Sequence, residues 1–281
     1  MQKMFHPIIK WTGSKRSQSY EILKYFPKKI DRYIEPFIGG GSVMRSLLES
    51  DIKFNKIICS DINKDLIALW NQIKLFPKKL ADEYSDMWNE LNKNNDIERK
   101  KEYYNFIRDR CNKTHQPKDF LFISRTTVNG LIRYNKKGEL NNSFHLTRNG
   151  INPKTLYKIM IEWSELINKF NVVFYNNDYQ KWHGYHQDFI YCDPPYRATK
   201  GIYNGTIDYD KFWDWLKKQE CEYAFSFDGK TNNMKDYTVS VPKILYDQHI
   251  YINSGNSSFR RIIGKSKDTE VYESLYLKRS I

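Results

Sequence analysis

Along the first third of the chain, short apolar runs alternate with glycine or acidic punctuation and then with stretches of helical period. Arg32-Tyr33-Ile34-Glu35-Pro36-Phe37 reads as a strand that ends at Pro36, because proline has no N–H for a ladder. Ile38-Gly39-Gly40-Gly41-Ser42 reads as a glycine turn, and 42–48 as a helix with Val43, Leu47 and Leu48 on one side. A second strand is predicted over 56–61, with Asp61 at its C-terminal end, and a helix over 65–75 that stops at Pro77. From about Lys78 to Ile167 the pattern turns helical, polar and basic, with Trp, Tyr and Phe interleaved. Inside that stretch, 125–144 carries Gly130 and then Asn135-Lys136-Lys137-Gly138, a turn signal between two short arms. The last third returns to strands at 172–175, 188–192 and 223–227, a helix at 209–217, and closing antiparallel strands at 244–246 and 273–277.

The spacing predicts how these pieces are organised. Asp61 and Asp178 end what read as consecutive strands, yet over a hundred residues lie between them. A crossover needs only a dozen or so residues besides its helix. The chain therefore reads as one α/β catalytic domain, residues 1–77 and 168–281, interrupted by an inserted domain at 78–167 that is mostly helical and contains a β-hairpin.

Composition narrows the partners. The 281 residues hold 46 Lys and Arg against 33 Asp and Glu, a formal net charge of +13, and 40% are hydrophobic. A basic chain of this size with a real core points to a polyanion, nucleic acid first, although a lysine-rich proteome would leave the same mark. The four cysteines are dispersed without a Cys-x-x-Cys pair, which argues against a zinc ribbon or redox couple and for a reducing compartment. His183 and His186 lack a second pair of ligands, so no metal is expected. No 18-residue apolar run and no apolar leader occur, so no membrane is expected as a partner and a cytoplasmic location is.

Two places carry candidate chemistry. In the first, three glycines follow a strand and open a helix, which lets backbone approach a ligand and offers free N–H groups. The spacing is not Gly-x-Gly-x-x-Gly, so a dinucleotide is disfavoured. Asp61 follows about 20 residues on, where an acid commonly accepts both hydroxyls of a ribose. A tight turn with a surface Asp would look alike. The second place is Asp193-Pro194-Pro195-Tyr196, directly after a strand. Successive prolines stiffen the backbone and aim its carbonyls. A carboxylate and such a carbonyl can accept both hydrogens of an exocyclic amine while Tyr196 stacks on its ring. A rigid loop capped by Asp explains the motif in isolation, but not its place at the C-terminal edge of a sheet, where open α/β folds bind ligands.

With these residues the chain resembles the DNA adenine (N6) methyltransferases of the Dam-like, alpha-order group, nearly end to end. Lys10-Trp11-Thr12-Gly13-Ser14-Lys15 is similar to the family's Lys-Trp-Ala-Gly-Gly-Lys, with Thr12 and Ser14 as departures. Residues 35–42 resemble its cofactor loop, Asp61-Ile62-Asn63 its ribose motif, 193–196 its catalytic tetrapeptide, and 128–135 with Gly138-Glu139 its DNA-reading hairpin. The order of these motifs is that of the alpha group.

The resemblance implies a Rossmann-like methyltransferase sheet and S-adenosylmethionine as cofactor, held by Trp11, Lys15, Phe37, Gly39, Gly41, Asp61, Asp178 and Asp193. It implies methyl transfer to the N6 of an adenine flipped out of double-stranded DNA, with Asp193, Pro194, Pro195 and Tyr196 catalytic. Asn129, Arg133, Asn135, Lys136, Lys137 and Arg125 would contact DNA, with Arg133 reading a guanine, and Arg110, Lys113 and Lys118 would add to a phosphate surface. Relatives that read guanine-adenine sites usually continue past the hairpin with Phe-Asn-Val-Pro, whereas here 140–145 is Leu-Asn-Asn-Ser-Phe-His, which leaves the recognition site open. Cys192 is expected to be an inert core residue. A cognate restriction endonuclease is a possible partner, and a monomer is the default. The alternatives are an inactive methylase-like DNA-binding protein, or an amino-methylase for cytosine N4 or RNA adenine. Cytosine enzymes tend to have Ser before the prolines, which favours adenine here.

Overall fold

A computed structural model describes residues 4–147, 149–195, 207–231, 238, 240–256 and 270–279. Its centre is a seven-stranded sheet made of β1 (Lys29–Glu35), β2 (Lys53–Asp61), β3 (Val173–Asn176), β4 (Phe189–Cys192), β5 (Glu222–Thr231), β6 (Gln248–Asn256) and β7 (Glu270–Lys278), in the order β3-β2-β1-β4-β5-β7-β6. The pairs among β1 to β5 are parallel, and β7 alone runs antiparallel, wedged between β5 and β6. In β4 all four residues are buried, Phe189 and Tyr191 in one apolar cluster and Ile190 and Cys192 in another. That is the signature of a parallel strand covered on both faces. The strand order reverses between β1 and β4, and a crevice opens there at the carboxyl edge of an α/β sheet.

Helix α1 (Ser19–Leu23) precedes the sheet, and α2 (Ser42–Leu48) follows the glycine turn directly. Helix α3 (Lys64–Leu75) is capped by Asn63, whose side chain accepts from Asp65 N and Leu66 N. It ends before Pro77, which then opens α4 (Pro77–Leu91) as its first residue, a place where a missing N–H costs nothing. Helices α5 (Ile97–Thr114), α6 (Pro117–Thr126) and α7 (Pro153–Lys169) complete the stretch between β2 and β3, and α8 (Tyr209–Lys217) covers the other face. The first apolar cluster runs unbroken from the sheet into these middle helices. Trp163 of α7 packs its ring 5.4 Å from Trp70 of α3 and 5.5 Å from Phe5.

One expected strand is absent. Residues 244–246 contain a short 3-10 turn, Lys243–Leu245, and the strand starts at Gln248. Pro242 sets that turn, which buries Leu245 and leaves Ile244 exposed. The four cysteines are buried and unbridged, Cys192 within the apolar cluster under α8. No helix among the described residues is long and apolar enough to cross a membrane.

Candidate active site

Four acids mark the carboxyl edge of the parallel strands. Glu35 ends β1, Asp61 ends β2, and Asp178 and Asp193 lie just past β3 and β4. All four line one cavity of about 460 Å³ together with Trp11, Lys15 and Phe37. The glycine turn enters it between β1 and α2. Gly39 has φ +44, and a Cβ there would come 2.8 Å from Trp11 Nε1; a Cβ on Gly40 would come 3.0 Å from Trp11 Cβ. The Gly39 carbonyl accepts from Trp70 Nε1 at 3.1 Å. Gly41, expected beside the cofactor, is not among the residues that line the cavity. Its φ is +69, and a Cβ would strike the Trp70 ring at 2.8 Å, so its lack of a side chain serves core packing and the start of α2.

At one end of the cavity, Asp61 accepts from Gly39 N at 3.2 Å and from Asn63 N at 3.0 Å. Burial pushes its carboxyl up to about 6, against the pull of these backbone donors. Phe37 stacks on Tyr179 with ring centroids 5.5 Å apart, and Asp178 caps the turn that carries Tyr179 by accepting from Gln180 N. At the other end, the buried Lys15 ammonium lies 2.8 Å from Asp193 Oδ1, 3.1 Å from Glu273 Oε2 and 3.2 Å from Gly13 O. Burial alone would lower the lysine's pKa, but the two carboxylates outweigh it and hold the ammonium charged. Glu35 is buried and accepts from the Tyr33 hydroxyl at 2.7 Å. Burial raises it to about 8, with the Asp193 charge adding to the shift, so it is mostly neutral at pH 7. Sequence reasoning placed Glu35 only within the cofactor loop and gave no role to Glu273. Glu273 reaches the site only because β7 is inserted beside β5.

Residues 11–262 match the family described as D12 class N6 adenine-specific DNA methyltransferase. The chain is 32% identical to a type II methyltransferase of Lactococcus lactis subsp. cremoris over 96% of this chain and 95% of that one. It is 34% identical to a type II methyltransferase of Methanocaldococcus jannaschii over 68% of this chain and 69% of that one. It is also 34% identical to the DNA adenine methylase of Escherichia coli K12, over 70% and 67%. The chain belongs to the D12 class of N6 adenine-specific DNA methyltransferases.

The family's hairpin region sits beside the cavity of this methyltransferase. Bridges pair Tyr134 with Leu140 and Thr127 with Phe144, and Ile132 and Tyr134 join the cavity wall. Asn63 Nδ2 donates to the Tyr134 hydroxyl at 2.7 Å and ties the hairpin to the Asp61 loop. Both departures from the N-terminal motif make hydrogen bonds: Thr12 Oγ1 donates to Gly130 O at 3.3 Å, and Ser14 Oγ lies 2.6 Å from Ser42 Oγ. Arg133, Lys136 and Lys137 are exposed, and the nearby Glu139 accepts from Asn135 Nδ2.

Four expected DNA contacts are engaged elsewhere. Asn135 is taken up by its own turn: its Oδ1 accepts from Lys137 N at 2.9 Å and Glu139 N at 3.0 Å, and its Nδ2 donates to Glu139. Arg125 donates to the carbonyls of Pro7 and Ile8 and is half-buried there, which pins the N-terminal segment. Arg110 forms a two-pronged pair with the buried Asp119, and Lys118 pairs with Glu83. Tyr196 and the side chain of Asn129 lie outside the described residues.

Proposed function

We propose that this chain transfers a methyl group from S-adenosylmethionine to the N6 amine of an adenine extruded from double-stranded DNA, and that Asp193 holds that amine. One observation carries the reading: the Asp61 and Asp193 carboxylates stand on the walls of one cavity, so a nucleoside held at the first faces an amine held at the second. The cavity fits such a cofactor. Its volume suits one nucleoside-sized ligand, Asp61 is an acceptor for ribose hydroxyls, and the Phe37–Tyr179 stack is an apolar wall for a purine. The bound cofactor supplies an electrophilic methyl group on a sulfonium.

The protein's own contribution is orientation and exclusion of water. The lone pair of an aromatic amine is delocalised into the ring. Hydrogen bonds from the NH₂ group to the Asp193 carboxylate and the Pro194 carbonyl favour the pyramidal nitrogen and turn the lone pair toward the methyl group. The stiffness of Pro194-Pro195 keeps both acceptors in place. Asp178 is assigned to the cofactor's base, and Tyr196 to stacking on the target adenine. Residues 78–167 are assigned to target recognition, with Arg133 reading a guanine next to the adenine and Lys136 and Lys137 on phosphates. A restriction endonuclease for the same site is the partner favoured by the type II relatives, and a monomer suffices because one adenine is modified per turnover.

Labelled S-adenosylmethionine and plasmid DNA, digested to nucleosides after reaction, should yield N6-methyladenine. The D193A variant should lose about 10²–10⁴-fold or more in single turnover while keeping its DNA affinity, which rests mainly on lysine and arginine. A variant with near-normal turnover would remove Asp193 from the reaction.

A further inference from the structure

Strand β7 brings a second carboxylate to the catalytic loop from two strands away. Glu273 lies opposite a bulge in β5. Phe227 pairs with Ser274 and Lys230 with Tyr272, so Asp228 and Gly229 together face the single residue Glu273. The bulge depends on Gly229, where a Cβ would sit 2.0 Å from the Tyr272 carbonyl oxygen. Bulges next to active sites re-aim a side chain, and here the residue opposite the bulge reaches the Lys15 ammonium at 3.1 Å.

An ammonium has three N–H donors. Those of Lys15 face Asp193 Oδ1, Glu273 Oε2 and Gly13 O, at 2.8, 3.1 and 3.2 Å. Two consequences follow. The ammonium is fixed from three sides, so the Asp193 oxygen it touches is fixed with it. The positive charge is also shared, so Asp193 is not tied into a closed pair with Lys15 and remains a strong acceptor for a substrate amine. A lysine bound to Asp193 alone would draw more electron density from that carboxylate and would be freer to swing.

We infer that Glu273 is a positioning residue for methyl transfer, which acts through Lys15 to hold the Asp193 carboxylate in place and keep it a strong acceptor. The inference rests on the reading that Asp193 holds the target amine. It predicts an effect on the chemical step rather than on binding, because Glu273 touches Lys15 and is not among the residues that line the cavity.

The test is E273Q, which keeps an acceptor of the same shape and removes the charge. Its single-turnover methylation rate should fall roughly tenfold, within the range for residues joined in one ion-pair network. Its dissociation constants for S-adenosylmethionine and for DNA should stay within about threefold of wild type, a smaller change than the loss of a neutral hydrogen bond. An unchanged rate, or a loss fully explained by weaker cofactor binding, overturns the inference. The pair K15M and K15M/E273Q poses the same question without a buried lysine left beside one acceptor, and serves if E273Q does not fold. If Glu273 acts through Lys15, the double variant is no slower than K15M; a further loss equal to that of E273Q in the wild-type background overturns it. D193A run alongside separates the two readings. Inactive D193A with wild-type E273Q removes the role of Glu273 alone, whereas active D193A removes both.

Discussion

If Asp61 holds the cofactor's ribose as proposed, its raised pKa should make cofactor affinity depend on pH. Burial lifts this carboxyl to about 6, while two backbone N–H groups hold it in a single orientation. Ribose hydroxyls donate best to the ionised form. Affinity should therefore be complete above pH 6 and fall as the pH drops through it. If only the ionised form binds, the apparent dissociation constant at pH 5 is about tenfold that at pH 7. Glu35 and Lys15, which share the pocket, do not mimic this. Glu35 titrates near 8 and stays largely neutral below pH 7, and Lys15 stays charged. In D61N the pH dependence should vanish, and the baseline affinity should drop by about 2–5 kcal/mol for the lost charge-assisted bonds. Calorimetric titration of S-adenosylmethionine at pH 5, 6 and 7 into both proteins is the assay. Equal wild-type affinity at pH 5 and 7, or D61N binding as tightly as wild type, would refute the ribose assignment.

Other outcomes follow from single contacts. G39A should weaken cofactor binding by about tenfold or more without altering DNA affinity, since the new Cβ meets Trp11 Nε1 at 2.8 Å and φ is +44; a variant with intact affinity and unshifted tryptophan fluorescence would contradict this. E35Q should gain stability over wild type as pH rises from about 4.5 to about 8 and hold a constant advantage above that. In this window the unfolded chain has lost the Glu35 proton and the folded chain keeps it, so wild-type stability falls with pH, by at most about 1.4 kcal/mol per unit. Urea unfolding at pH 5, 7 and 9 tests it, and a pH-independent difference would mean that Glu35 is ionised in the fold. R133A should cost about 1–3 kcal/mol at one base pair and relax the preference there alone, read by sequencing methylated plasmid; an unchanged motif would take Arg133 out of base reading.

Much of the fold is legible locally. Residues 42–48 and 209–217 are helices at the positions expected, because glycine before one and an Asp cap before the other are near-neighbour signals. The breaks at Pro77, Pro117 and Pro153 follow from the missing N–H, which places each at a helix start. Asp61 and Asp193 are conspicuous because each ends an apolar run. What is not legible is any pairing across the sheet or between distant segments. Residues 244–246 are apolar enough for a strand, but their neighbour Pro242 turns them into a 3-10 turn. Arg125 has the composition of a phosphate contact, yet the carbonyls of Pro7 and Ile8, far away in sequence, claim its guanidinium. Gly41 looks like its two neighbours in the turn, and only the packing of Trp70 and Trp163 separates its role from theirs.

By itself, then, the sequence determined the alternation of strands and helices, the acids at strand ends and the motif order that marks the family. Each of these is written in residues within a few positions of one another. The tertiary structure decided which acids meet. Strand order β3-β2-β1-β4-β5-β7-β6 sets Asp61 and Asp193 on one cavity, and the antiparallel insertion of β7 with its Gly229 bulge delivers Glu273 to Lys15. Local propensity cannot encode such meetings, because they depend on which strand edges pair once the whole apolar surface is buried.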